Sequence, residues 1–118
     1  MSFGAATLDA HWEYFQPKVL VNYIPYVASS DSNPVGGIIE DIQALIEEPT
    51  KEDYEYGQSQ GVHTQLRNWN LRASMMLGVP VTKNGRIVDE DDKVWVVMRC
   101  VNRSFKTRWN CLCYALEG

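Results

Sequence analysis

A chain of 118 residues is one domain by length, and 45% hydrophobic with 22% charged residues is an ordinary globular balance. The net charge of −4 argues against a duplex-binding module, which shows a basic face. No apolar run approaches the ~18 residues of a membrane span, Met1-Ser2-Phe3-Gly4 opens no secretion signal, and the three cysteines, an odd number, suit a reducing cytosol.

Residues 1–17 read as an N-terminal arm with a short helix. Thr7 is a plausible N-cap, and Leu8, Trp12 and Phe15 fall on one helical stripe. Pro17 ends that helix, because proline pushes the preceding residue out of the α region. Residues 18–49 hold the first strands. Lys18 to Val27 is β-branched and aromatic, and Pro25, which cannot donate to a ladder, marks an edge strand or a bend. Residues 28–37 are a loop by composition.

Ile38 to Glu48 fits two patterns. Ile38, Ile42, Leu45 and Ile46 form a helical stripe, while Ile38, Ile42, Ala44 and Ile46 share one strand face. The pattern leans to helix. Residues 50–61 are polar and acidic and read as a long loop carrying Tyr54 and Tyr56. His63 to Ala73 alternates as a strand, Ser74 to Leu77 as a short turn, and Asn84-Gly85 is a hairpin signal.

Residues 62–118 form the hairpin region. Two β-rich runs, from Val94 and from Trp109, flank the polar break Ser104-Phe105-Lys106-Thr107. A turn centred on Phe105 and Lys106 sets Cys100 opposite Cys111 and Arg103 opposite Arg108. The acids Asp89 to Asp92 suit a tight turn, since Asp bonds its own backbone.

None of these residues forms a recognisable catalytic or metal-binding set. Cys100, Cys111 and Cys113 lack zinc-knuckle spacing and read as buried core. His11 and His63 show no spacing that pairs either with a nucleophile. The acidic runs lack the spaced ligands and central glycine of a calcium loop. Neither enzyme activity nor a cofactor or metal is expected. The candidate partner contacts are Tyr54 and Tyr56, with Arg99, Arg103, Lys106 and Arg108 around the hairpin tip.

The order of features resembles the head–tail joining proteins of tailed bacteriophages, the head-closure or stopper group of the virion neck. Three stretches carry the likeness: Gly37 to Pro49; Leu66 to Arg72 with Ala73-Ser74; and Asn84 to Val88 with Lys93 to Val97 and Val101. The resemblance implies a mainly β fold, a small antiparallel β-barrel or sandwich with a short N-terminal helix. It also implies a homo-oligomeric ring between portal-adaptor and tail proteins, made in the host cytoplasm and built into the virion. Packaged DNA would lie beside the channel, which an acidic lining would let slide. No membrane partner is implied. The rival reading is a small acidic phage-encoded binding protein that inhibits a host defence complex by mimicking nucleic acid.

Overall fold

The computed structural model describes residues 12, 19–26, 37–103 and 107–116. The described residues form six strands: β1 (Val19–Ile24), β2 (Ile39–Glu47), β3 (Leu66–Arg72), β4 (Arg86–Val88), β5 (Val94–Arg103) and β6 (Arg108–Ala115). They close into an antiparallel barrel in the order β1-β2-β3-β6-β5-β4, with β4 pairing back onto β1. The barrel form of the expected fold is therefore the one adopted. One α-helix lies among the described residues, α1 (Lys51–Ser59), between β2 and β3. The N-terminal helix expected over residues 7–16 lies outside the described residues, apart from Trp12, which is buried in a 3-10 turn.

The interior is aromatic and β-branched. Tyr23, Ile42, Leu71, Ile87, Val97 and the ring of Trp69 are fully enclosed. Trp69 and Trp95 meet edge to face at 6.1 Å. At the barrel end formed by the start of β3 and the β4–β5 turn, the Arg67 guanidinium lies 4.5 Å from the Trp95 ring centre and 5.3 Å from that of Trp69. Lys93 sits 4.9 Å over the same Trp95 ring. The segment between β3 and β4 packs Met76 and Val81 into the core. There the Tyr23 hydroxyl accepts a hydrogen bond from Thr82 N at 3.1 Å. Gly85 lies so close to the Tyr23 ring that a Cβ would collide with it.

The hairpin β5–β6 has the predicted register, Cys100 against Cys111 and Arg103 against Arg108. The acidic stretch is the predicted turn. Asp89 Oδ1 accepts from Asp91 N at 2.9 Å and Lys93 N at 3.0 Å, and Asp89 Oδ2 accepts from the Trp95 indole at 3.0 Å.

Four expectations are corrected. Ile39–Glu47 is a strand and not a helix. Val21 pairs with Ile42 but Tyr23 pairs with Ile39, so Asn22 alone faces Glu40 and Asp41. This is a β-bulge, with Asp41 in the left-handed region at φ 57°. It turns both Ile39 and Ile42 inward while Ile38 stays exposed, and the three-residue step imitates a helical stripe. Of the two readings of the strand before Pro25, the edge is the one overturned: β1 (Val19–Ile24) pairs with both β2 and β4 and stops just before the proline. Asn84-Gly85 makes a turn, with Gly85 N bonded to Thr82 O, yet it leads from the capping segment into β4 and joins no two strands. The long loop at 50–61 is mostly α1.

Candidate functional site around the mid-chain helix

Thr50 starts α1 with a capping box. Its hydroxyl accepts from Asp53 N at 3.2 Å, and Asp53 Oδ2 accepts from Thr50 N at 2.9 Å. The same carboxylate binds the barrel wall. Asp53 Oδ2 accepts from Asn68 Nδ2 of β3 at 2.9 Å, and Oδ1 accepts from Arg99 Nη2 of β5 at 2.6 Å. Helix, β3 and β5 are thus joined at one side chain. Burial, the largest single influence on Asp53, favours its neutral form, but the donors from Thr50 and Asn68 and the charge of Arg99 together outweigh it, and the carboxyl lies below its ordinary pKa.

Beneath the helix lies a second, smaller core on the outside of the barrel. Leu66, Met98 and Leu112 are buried there, with Tyr56, Val62 and Tyr114 packed against them. Removing each of the three from water contributes about 1.5–3 kcal/mol. Gly57 allows the close approach: a Cβ at that position would stand 3.0 Å from Leu66 Cδ1. Met98 faces outward by alternation from the inward Val97, and the β5 bulge between Val97 and Arg99 leaves Arg99 on the same outer face, opposite Leu112.

Two of the candidate contacts meet here. The Arg99 guanidinium lies 4.7 Å over the Tyr56 ring, with 45% of its side chain exposed. Tyr54, two residues before Tyr56 and so on the other side of the helix, projects to solvent. A groove beside the helix is walled by Tyr56 and Tyr114, floored by Val97 and Met98, and rimmed by Lys83 and Gln60. A second groove, on the Tyr54 side, includes His63, Thr64 and Leu66.

The other candidates lie elsewhere. Arg99 is not part of the hairpin tip; it pairs across from Leu112, well back along the strand. Arg108 is near the tip, but its guanidinium is 4.0 Å from Glu47, at the end of a polar run in which Asn110 donates to Asn70 and Asn70 to Glu47. Arg103 pairs with Arg108 through the backbone, and the Lys106 expectation lies outside the described residues.

The cysteines are core, as expected. Cys111 and Cys113 are buried in the barrel interior with Cys100 packed against them. Among the described residues no group of three or more His, Cys, Asp and Glu side chains is placed to hold a metal ion, and no helix is long and apolar enough to cross a membrane.

Sequence reasoning missed Asp53, which holds the site together. The signal was present: Thr50-Lys51-Glu52-Asp53 directly after Pro49 has capping-box spacing. No protein-family model, curated protein or solved structure matches this chain.

Proposed function

We propose that the chain is a structural joining component of a tailed-phage virion neck, seated between the portal-adaptor and the tail and helping to retain packaged DNA. The observation that carries this reading is the combination of a closed barrel with an exposed aromatic–arginine face. Among the described residues closure leaves no unpaired edge strand, so the described barrel offers no free edge for association by strand addition. Contact with a neighbour then falls to side-chain surfaces. The region around α1 offers Tyr54 and Tyr56 on the anchored helix and Arg99 on the adjoining barrel wall, residue types enriched at protein interfaces. The resemblance in feature order supplies the neck as the setting, and a barrel is one of the two folds, barrel or sandwich, that the resemblance implies.

Heterologous contacts between copies would close into a ring on the adjoining neck component. Negative-stain microscopy of the chain mixed with that component tests this. Rings seated on the partner support the reading, and a strict monomer that ignores every virion component overturns it. The rival, a nucleic-acid mimic, draws on the exposed acids Glu90, Asp91 and Asp92. It requires tight binding to one basic host protein and absence from purified particles.

A further inference from the structure

The barrel interior places two thiols directly across from each other. Cys100 of β5 and Cys111 of β6 are register partners, and both side chains belong to the interior cluster. Opposed residues of an antiparallel pair have Cα atoms about 4.5–5.5 Å apart. That lies inside the roughly 4.4–6.8 Å range a disulfide spans. We infer that Cys100 and Cys111 are a cross-strand dithiol that a low-molecular-weight disulfide converts to an intrachain disulfide, stapling the β5–β6 hairpin. The inference is independent of the neck reading.

The third cysteine is excluded by geometry. Cys113 stands opposite Val97, not opposite a thiol. From Cys111 it is two residues along one strand, about 6.6 Å of rise, and with both Cβ atoms pointing the same way they stay about that far apart, beyond the roughly 3.5–4.5 Å Cβ separation of a disulfide. The order of events follows from exposure. Cys100 is half-buried and its thiol donates to Val81 O at 3.1 Å, whereas Cys111 is fully enclosed. The Cys100 thiolate attacks the small disulfide, forming a mixed disulfide and expelling one small thiolate. The Cys111 thiolate then attacks Cys100 Sγ and expels the second. Two protons and two electrons pass from the protein, and the small disulfide leaves as two thiols. Burial raises the pKa of all three thiols, so exchange is slow near neutrality.

The test treats the purified full chain with oxidised glutathione at about pH 8.5, near the ordinary cysteine pKa. Intact mass and peptide mapping follow, after free thiols are alkylated in denaturant. The expected product has lost two hydrogens, contains a linked Cys100–Cys111 peptide, and carries alkyl on Cys113 alone. A glutathione adduct that persists on Cys100, a link involving Cys113, or three alkylated thiols after exhaustive treatment would each overturn the inference.

Discussion

Asp53 and Arg99, 46 residues apart in sequence, meet at 2.6 Å and tie α1 to β5. The two partners are not equivalent. Asp53 is 11% exposed and also serves Thr50 and Asn68, while the Arg99 side chain is 45% exposed. Asp53→Ala removes the capping box and strands the buried Asn68 amide, costing about 2–3 kcal/mol of stability. Arg99→Ala gives up a pair screened by solvent on the arginine side, together with its contact over the Tyr56 ring, costing about 1 kcal/mol. Urea unfolding of both variants checks the order. Equal losses would show that the ion pair, and not the cap, fixes the helix.

The same carboxylate sets an acid limb. Its folded pKa lies below the ordinary aspartate value of about 3.9 that applies to the unfolded chain. Its contribution to stability is therefore complete above about pH 4 and is lost as pH falls through the folded value. Asp53→Asn is less stable than wild type at neutral pH, and the gap narrows below about pH 4. Stability measured against pH on both proteins checks it; a constant gap down to the acid limit contradicts the assigned shift.

The β2 bulge gives a backbone prediction. Asp41 holds φ 57°, a conformation that suits glycine and is strained for a β-branched side chain. Asp41→Gly is tolerated, while Asp41→Val costs about 1–2 kcal/mol, as expected of left-handed backbone. Thermal denaturation of the two variants separates them. Similar melting for both would mean the bulge relaxes in the mutant.

The smaller core gives a packing prediction. Leu112 is 1% exposed between Leu66 and Met98. Leu112→Ala leaves a cavity under α1 and costs about 2–5 kcal/mol. Hydrogen exchange adds the location: amides of α1 lose protection more than those of β1. Uniform loss would indicate that α1 and the barrel open as one unit.

Much of the β5–β6 hairpin was legible because its pattern is local. A polar break between two β-rich runs fixes the register from Cys100 to Cys111, and Asp89 closes the preceding turn by bonding its own backbone. Ile39–Glu47 was not legible, because a bulge changes the spacing of inward residues and no single periodicity covers it. Helix α1 was hidden for a different reason. It buries mainly Asp53 and Gly57, so it carries no apolar stripe, and its stability comes from its cap and from contacts with distant strands. The site was half legible. Tyr54, Tyr56 and Arg99 stand out as residue types, but the meeting of Tyr56 with Arg99 depends on barrel closure and on the β5 bulge beside Arg99.

Tyr54 connects the fold to the proposed role. Its side chain is exposed, so Tyr54→Ala changes stability by no more than about 0.5 kcal/mol. Light scattering of this variant with the adjoining neck component is expected to show weaker association than wild type. Undiminished association would place the contact on another face.

The proposed neck role is tested most directly by an electron-microscopy map of the tailed-phage particle in which the chain is proposed to sit. A ring of six-stranded barrels between portal-adaptor and tail, with α1 and Tyr54 against a neighbouring subunit, is the expected result. A neck built without this barrel, together with absence of the chain from purified particles, would contradict it.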